Sequence, residues 1–360
     1  MPDVLTEPQA SAPVRLSTLD RYLPVWIGLA MAGGLGLGRL LPDLDDWLEQ
    51  VEVGTVSLPI AAGLLAMMYP VLAKVRYRRI GEQLSDRRTL GLSLVMNWLV
   101  GPALMFTLAW VFLEDLPAMR SGLIIVGLAR CIAMVLVWND LACGNRELGA
   151  VLVAINSVFQ IVMYSVLGWF YLTVLPGWLG LETEALDVGM GEIARSVLIF
   201  LGLPLLAGFL TRYLGERYMG TDWYEHRFLP RISPVALYGL LFTIVVLFAL
   251  QGERIAERPW DVARVAIPLL IYFTVMWFGS FITGYRLGLP YDRNVSVAFT
   301  AAGNNFELAI AVAIAVYGVT SGQALAGTIG PLIEVPVLVG LVYVAHAARR
   351  RYYPSSQQDI

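Results

Sequence analysis

The sequence predicts an all-α integral membrane protein with ten transmembrane helices in two inverted five-helix repeats. Three features predict this fold: a weakly charged apolar composition, apolar runs long enough to cross a bilayer, and two halves that match at a nearly constant offset. Of the 360 residues, 58% are hydrophobic and 15% are charged, and the mean hydropathy is +0.67. A soluble protein would carry about 25% charged residues, so the composition favours a membrane protein.

The apolar runs set the number and position of the helices. An α-helix needs about 20 apolar residues to cross about 30 Å of hydrocarbon. Ten such runs cover residues 22–40, 55–73, 92–112, 121–138, 148–175, 194–212, 234–251, 264–285, 295–318 and 325–347. The predicted organisation is an amino-terminal tail (1–21), a first repeat (22–180), a second repeat (190–347) and a carboxy-terminal tail (348–360).

The distribution of basic residues predicts the orientation of the helices. With ten spans, one side of the membrane carries 18 Lys and Arg residues and the other carries 6, while Arg130 lies inside a helix. Basic loops are retained in the cytoplasm, so both termini are predicted to be cytoplasmic in a multi-pass protein of the inner (plasma) membrane. The polar amino-terminal segment has no apolar core or cleavage site, so it is predicted to be a tail rather than a signal peptide.

The polar residues exclude several kinds of chemistry. The single lysine, Lys74, follows YPVLA and does not form a phosphate-binding GxxxxGK[ST] loop. His226 and His346 are far apart in the sequence, so no permanent metal site is predicted. Cys131 lies within a span and Cys143 just beyond it, which argues against a disulfide framework. We therefore predict no cofactor and no nucleic-acid partner; the lipid bilayer is the environment that the composition requires.

The two halves of the chain repeat each other. Gly127–Cys131 in span four and Gly303–Glu307 in span nine share their spacing at an offset of 176, and Gln160 in span five precedes Glu334 in span ten by 174. Five helices is an odd number, so the second half must cross the membrane the opposite way up. Many secondary transporters have this plan, with the substrate site near mid-membrane on interrupted helices at the repeat interface.

Spans four and nine are predicted to be interrupted. They read GLARCIAMVLVWNDLACGN from Gly127 and FTAAGNNFELAIAVAIAVYG from Phe299, and each has a glycine, small residues and a charged residue inside an apolar run. Backbone leaves helical geometry at membrane depth only where it is buried or lines a cavity. The freed backbone amides and carbonyls can then bind a small polar substrate.

Arg130 and Glu307 are the charged residues in these two spans. An ionised side chain at a helix centre costs about 3 kcal/mol on insertion scales, so two interpretations remain open. The pair could lock span four to span nine, or either residue could handle substrate or protons. Cys131 is either a small packing residue or a thiol activated by its cationic neighbour. Glu334, in a proline-rich part of span ten, either titrates or forms a pair.

The other polar candidates are intramembrane amides and two tryptophans. Amides of this kind can hydrogen-bond across helices, and tryptophans near span ends commonly anchor a helix at the membrane interface. The candidate residues are Asn97, Asn156, Gln160, Asn304, Asn305, Trp110 and Trp138.

Four segments resemble the arsenical-resistance arsenite permeases, the thiol-containing efflux transporters of the bile acid/arsenite/riboflavin transporter superfamily. They are ARCIAMVLVWNDLACGN, INSVFQ, AGNNFELAIAVAIAVYG and PLIEVPVLVGLVY, and the resemblance extends over essentially the whole chain. It implies a panel domain and a core domain, with broken helices four and nine crossed in the core. It also implies that Cys131 is the essential thiol and Glu307 the essential carboxylate. The other matching motif positions are Asn97, Trp110, Arg130, Trp138, Asn156, Asn305, Phe306 and Glu334.

The function that the resemblance implies is export of arsenite from the cytoplasm in exchange for protons. Arsenous acid is a small, neutral and thiophilic trihydroxide, so one thiol at Cys131 would bind arsenic transiently and release it. Its hydroxyl groups would find hydrogen-bond partners in Asn305, Glu307 and Arg130. Glu307 and Glu334 are the candidates for carrying the coupling proton. Antimonite as a second substrate, a homodimer and an optional cytoplasmic partner are left open.

Two alternative functions remain open, of which one is another kind of transporter and the other is an enzyme. A sodium-coupled uptake carrier for an organic anion, of the bile acid transporter type, would use the arginine but would leave the thiol without a role. An intramembrane enzyme such as a protease would need a Ser/His or paired-Asp arrangement within the spans, and the sequence has none. The chain is therefore predicted not to be an enzyme.

Overall fold

A computed structural model of the chain describes residues 22–41, 44–49, 51–53, 56–75, 86–132, 134–181, 190–257 and 259–354. The predicted amino-terminal tail (1–21) lies outside the described residues. So do residues 76–85 of the predicted basic cytoplasmic loop and residues 355–360 of the predicted carboxy-terminal tail.

The described chain is almost entirely helical, which confirms the prediction of an all-α protein. In chain order the helices are α1 (Leu23–Leu40), α2 (Leu44–Glu49), α3 (Leu58–Ala73), α4 (Arg87–Phe112), α5 (Pro117–Leu128), α6 (Met134–Leu141), α7 (Arg146–Trp178), α8 (Met190–Met219), α9 (Thr221–Gly252), α10 (Pro259–Arg286), α11 (Tyr291–Ala302), α12 (Phe306–Tyr317) and α13 (Gly322–Tyr352). The last turns of α9 continue to Glu257. A short antiparallel hairpin, β1 (Glu52–Val53) with β2 (Val56–Ser57), precedes α3.

Six of these helices are long and apolar enough to cross a membrane, judged by length and composition: α4, α7, α8, α9, α10 and α13. Shorter apolar helices accompany them, namely α1, α3, α5 and α12. Each of the ten predicted apolar runs coincides with one helix or with a pair of short helices. The chain is therefore a multi-pass protein by its helix content, and the number of spans stays a prediction.

Side-chain caps fix where three of the long helices begin. The side-chain oxygens of Asp86, Asn145 and Ser321 each accept a hydrogen bond from the backbone amide three residues on, at 3.2, 2.9 and 3.1 Å. These amides have no carbonyl partner within their own helix, so the caps satisfy groups that would otherwise remain unpaired. The caps thereby define the starts of α4, α7 and α13.

The helices pack in two groups. The first, the four-helix group, contains α1, α3, α8 and α9, and the second, the crossing group, contains α4 to α7 and α10 to α13. Glycines bring α1 against α9, because a Cβ on Gly34 or Gly38 would collide with the carbonyl oxygens of Val245 and Ala249. Helices α7 and α8 pack together and join the two groups.

An ion pair ties a loop to the crossing group. Arg264 of α10 donates to Asp115 Oδ2 at 2.8 Å and to the Phe112 carbonyl at 2.9 Å. The hydrogen bonds from Arg264 lower the pKa of Asp115 to about 2. Asp115 therefore stays ionised at neutral pH, and the α4–α5 loop stays attached to α10.

The two predicted interruptions are present, and they cross. The interruption predicted in span four lies between Leu128 and Met134, and the one predicted in span nine lies between Ala302 and Phe306. We call these segments the first break and the second break. They run antiparallel and pair as an isolated β-bridge between residues 130 and 304.

Candidate substrate site at the helix crossing

The two breaks are hydrogen-bonded to each other through their backbones. The Cys131 amide donates to the Gly303 carbonyl at 3.3 Å, and the Asn305 amide donates to the Ala129 carbonyl at 3.0 Å. These two contacts are symmetric about the bridge, so Asn305 is the equivalent of Cys131 in the second break. The sequence match at an offset of 176 put Glu307 in that place, and the structure corrects this register by two positions.

Cys131 and Asn305 also occupy equivalent places at the start of two short helices. The Asn305 Oδ1 accepts from the Leu308 amide at 3.0 Å, which caps α12. The Cys131 Sγ accepts from the Val135 amide at 3.3 Å, in the first turn of α6. Both side chains therefore lie at helix N-termini, where the helix dipole stabilises negative charge. The thiol is also shielded from solvent, since Cys131 is 2% exposed.

Arg130 is held on its backbone and on its side chain. Its amide donates to Gln160 Oε1 at 2.9 Å, and Gln160 Nε2 donates back to the Arg130 carbonyl at 2.9 Å. Its guanidinium donates to the Tyr272 hydroxyl at 2.7 Å and to the Gly127 carbonyl at the end of α5. Among the described residues Arg130 forms no ion pair, so the lock between Arg130 and Glu307, one of the two open interpretations, is absent there. Backbone contacts lock the two breaks instead.

Glu334 reaches the second break from α13. Its Oε1 accepts from the Asn304 amide at 3.1 Å, and the Asn304 side chain donates to the Val126 carbonyl at 2.6 Å. A Cβ on Gly303 would lie 3.0 Å from the Cys131 Cβ and 3.4 Å from Glu334 Oε1. The thiol-bearing residue and a buried carboxyl group therefore flank one glycine.

Glu307 lies in the first turn of α12 and is partly exposed, whereas Glu334 is 4% exposed. The adjoining Phe306 packs its ring against α13 so closely that a Cβ on Gly330 would overlap it. Phe306 thereby fixes the start of α12 and the position of Glu307.

The other predicted site residues lie on the helices around the crossing. Asn97 donates to the Ser93 carbonyl at 2.8 Å within α4, and Asn156 of α7 accepts from the Trp98 indole at 3.2 Å. Trp138 is 2% exposed, so interfacial anchoring is the wrong interpretation for this side chain. For Trp110, the guanidinium of Arg120 lies 3.8 Å from the centre of its ring.

Several of these residues keep a buried polar atom without a hydrogen-bond partner in the described part of the chain. Buried polar atoms in proteins are nearly always paired, and an unpaired one is costly. The atoms are Asn97 Oδ1, Arg130 Nε, Trp138 Nε1, Asn156 Nδ2, Asn304 Oδ1 and Asn305 Nδ2. Those in the two breaks can bind a small molecule that both donates and accepts hydrogen bonds.

Three further side chains hold the first break, and of these the sequence predicted Gln160 as a polar candidate but neither Tyr164 nor Tyr272. Gln160 grips Arg130, Tyr272 accepts from its guanidinium, and Tyr164 donates to the Ile125 carbonyl at 2.9 Å near the end of α5. The sequence did signal Gln160, because its offset from Glu334 equals the offset between the bridged residues Arg130 and Asn304. Nothing signalled Tyr272, because it lies on α10, in the predicted span eight, for which the sequence showed no match in the other repeat.

Cys143 lies away from the crossing, beyond the end of α6. It is exposed, and its backbone has a φ of 56°. In the part of the chain that the structure describes, no group of three or more His, Cys, Asp or Glu side chains is placed to hold a metal ion. Cys131 is thus the thiol that belongs to the candidate site.

The chain is similar to membrane transporters over nearly its full length. A family model described as the sodium bile acid symporter family matches residues 61–258. The arsenical-resistance protein Acr3 of Corynebacterium glutamicum is 62% identical over 331 residues, which cover 92% of this chain and 90% of that protein. The chain belongs to the Acr3 arsenical-resistance family.

Two further relatives extend this assignment. The Acr3 of Alkaliphilus metalliredigens is 31% identical over 350 residues, covering 94% of this chain and 95% of that protein. An uncharacterised transporter of Synechocystis is 36% identical over 348 residues, covering 91% of this chain and 88% of that protein. Membership of the Acr3 family confirms the resemblance found in the sequence. It also confirms that the chain is a transporter of the plasma membrane and not an enzyme.

Proposed function

We propose that this Acr3-family transporter exports arsenite from the cytoplasm in exchange for protons. One observation carries the proposal: a buried thiol, Cys131, lies at the N-terminus of a short helix where two broken helices cross. The Acr3 name of the relative that is 62% identical supports arsenic as the cargo. Antimonite has the same thiophilic trihydroxide chemistry and is a candidate second substrate.

The chemistry of the site suits arsenous acid. The Cys131 sulfur attacks arsenic, one hydroxyl leaves with the thiol proton as water, and the bound species is a thiolate ester, Cys–S–As(OH)₂. The remaining hydroxyl groups accept from Asn305 Nδ2 and donate to Asn304 Oδ1, two atoms that have no partner within the described chain. Attack by water reverses the step, so a single thiol gives selectivity together with release.

Proton exchange supplies the driving force for export. Arsenous acid is uncharged near neutral pH, so the membrane potential does not act on it. Inward movement of one proton supplies about 2.3 kcal/mol per 100 mV, with any pH gradient in addition. Glu307 is the first candidate for the proton carrier because it lies at the start of α12 and is partly exposed. Glu334 is the second candidate, since it accepts a hydrogen bond from the Asn304 amide in the second break.

Ten spans in two inverted repeats describe the whole chain best. Helices α5 and α11 both have 12 residues, and the offset between their first residues equals the offset between their last. Their breaks, their following short helices, and the long helices α7 and α13 keep the same order. The four-helix group is the panel and the crossing group is the core, and the repeats extend over 22–180 and 190–347.

The proposed topology places both termini and the loop at Arg76–Arg88 in the cytoplasm. We expect Ser85→Cys to react with a membrane-impermeant maleimide in everted vesicles but not in intact cells, because basic loops stay inside. Thr183→Cys, on the opposite side, is the control with the reverse pattern. Both variants carry Cys143→Ser. Reaction of Ser85→Cys from outside intact cells would overturn the span assignment.

The transport proposal is tested by arsenite uptake into everted membrane vesicles, in which export becomes accumulation. Uptake should require an energised membrane and should disappear with a protonophore. A sodium-dependent accumulation of an organic anion, without arsenite uptake, would favour the bile acid type of carrier.

A further inference from the structure

We propose that Gln160 is a positioning residue for transport. It holds the thiol-bearing break in one geometry whatever the protonation state of the site, whereas the equivalent contact of the second break changes with protonation of Glu334. The inference rests on the proposed function for its transport readout, and on the contacts of the two breaks for everything else.

Gln160 forms hydrogen bonds with both the backbone amide and the backbone carbonyl of Arg130, the residue before Cys131. It is fully buried, accepts from the Arg130 amide at 2.9 Å and donates to the Arg130 carbonyl at 2.9 Å. Two hydrogen bonds to one residue fix the rotation of that peptide segment. Because Cys131 follows directly, they also fix where its sulfur lies relative to the Val135 amide, 3.3 Å away.

Glu334 makes the corresponding hydrogen bond to the second break. Unlike Gln160, it has no side-chain NH₂ group that can donate a second hydrogen bond. Gln160 lies 30 residues after Arg130, and Glu334 lies 30 residues after Asn304. Glu334 Oε1 accepts from the Asn304 amide at 3.1 Å, as Gln160 Oε1 does from Arg130. An ionised carboxylate has no hydrogen to donate to the carbonyl of the same residue, whereas a protonated one has. Gln160 therefore always makes the two hydrogen bonds that Glu334 can make only when it is protonated.

This difference gives the crossing one fixed half and one half that responds to protons. The fixed half carries the thiol, so arsenic binding keeps its geometry through the cycle. The responsive half carries Asn304 and Asn305, whose side chains face the substrate hydroxyls in the proposed function. Gain or loss of a proton at Glu334 then changes the second break without disturbing the first.

A pH test on Gln160 has to be read against the ionisable groups on the elements packed around it. Helix α7 packs against α5, α6, α8 and α11 and against the first break. The titratable or charged side chains of these segments, with those of α7 itself, are Arg120, Arg130, Cys131, Asp140, Arg146, Glu147, Tyr164, Tyr171, Glu192, Arg195, Arg212, Tyr213, Glu216, Arg217, Tyr218, Tyr291, Asp292 and Arg293.

The test compares Gln160→Leu with Gln160→Glu in everted vesicles across the pH range in which the wild type is active. Gln160→Leu removes both contacts, and we expect about a tenfold loss of arsenite uptake at every pH. Gln160→Glu keeps the acceptor and donates only when protonated. Its uptake should therefore recover towards the wild-type rate as the pH falls and be lost as the pH rises. The recovery is measured on one protein preparation, so it separates positioning from misfolding.

Two further measurements keep the outcome decisive. Gln251→Glu alters another buried glutamine, whose Nε2 donates to the Val319 carbonyl at 2.8 Å away from the breaks, and its pH profile should keep the wild-type shape.

N-ethylmaleimide labelling of Cys131 in a Cys143→Ser background does not depend on arsenite being the substrate. At constant pH we expect Gln160→Leu to change the labelling rate by about tenfold. Wild-type labelling rates together with wild-type pH profiles in both Gln160 variants would overturn the proposal.

Discussion

Replacement of Cys131 by alanine is expected to reduce arsenite uptake in everted vesicles to that of vesicles without the protein. The sulfur forms the bond to arsenic in the proposed cycle, and no other described thiol reaches the crossing. Cys131→Ser should fail as well, although a hydroxyl can still accept from the Val135 amide, because oxygen does not replace sulfur as a ligand for arsenic.

The matched control is the second cysteine. Cys143→Ala should retain uptake, because Cys143 is exposed and lies beyond the end of α6. Each variant is compared at equal protein content in the membrane. Normal uptake by Cys131→Ala would assign this cysteine to packing alone and would remove the chemical basis of the site.

Replacement of Glu307 by glutamine is expected to abolish accumulation of arsenite against a gradient. Glutamine keeps the size and the hydrogen-bonding capacity of the side chain but does not take up or release a proton. Exchange of labelled for unlabelled arsenite across the membrane should survive in part, because exchange needs binding and movement without net proton flow. The two modes are measured in the same vesicles, with and without an imposed pH gradient.

Glu334→Gln provides the comparison for this result. Its amide oxygen still accepts from the Asn304 amide, so the contact at 3.1 Å is kept while titration is lost. If Glu307→Gln concentrates arsenite with a normal pH dependence, the proton is carried elsewhere and Glu334 becomes the carrier to test. Loss of both accumulation and exchange in Glu307→Gln would instead indicate a role in binding.

The helices and their breaks could be predicted from the sequence because each has a strong local signal. An apolar run of about 20 residues has few alternatives to a membrane helix. A glycine and a charged residue in the middle of such a run mark the place where the helix must open. The structure accordingly interrupts the helices at both predicted segments.

The sequence did not correctly predict which residues of the two breaks pair with each other. Apolar helices resemble each other by chance, and the match of Gly127–Cys131 with Gly303–Glu307 was displaced by two positions from the pairing of Arg130 with Asn304. The polar pair Gln160 and Glu334 has the same offset as the bridged residues. Sparse polar residues carry more register information here than glycines do, because each must find a specific partner in a low-dielectric interior.

Side-chain partners were the least predictable part of the site. A pair between Arg130 and Glu307 was one of two open interpretations, but the Arg130 guanidinium contacts Tyr272, which lies 142 residues further along the chain. A hydroxyl and a helix-end carbonyl satisfy the guanidinium without a carboxylate. Such a choice depends on tertiary packing of α10 against the break, and a single sequence contains no local signal for it.

Purified protein in sealed proteoliposomes allows proton-coupled arsenite transport to be measured without other membrane proteins. An imposed pH gradient, acidic inside, should drive arsenite into those liposomes in which the protein is inserted with its cytoplasmic face outwards. We expect accumulation above the external concentration, its collapse with a protonophore, and acidification of the medium coupled to uptake. Arsenite accumulation that is unaffected by collapsing the pH gradient and the membrane potential, or no arsenite movement at all, would contradict proton-coupled arsenite export.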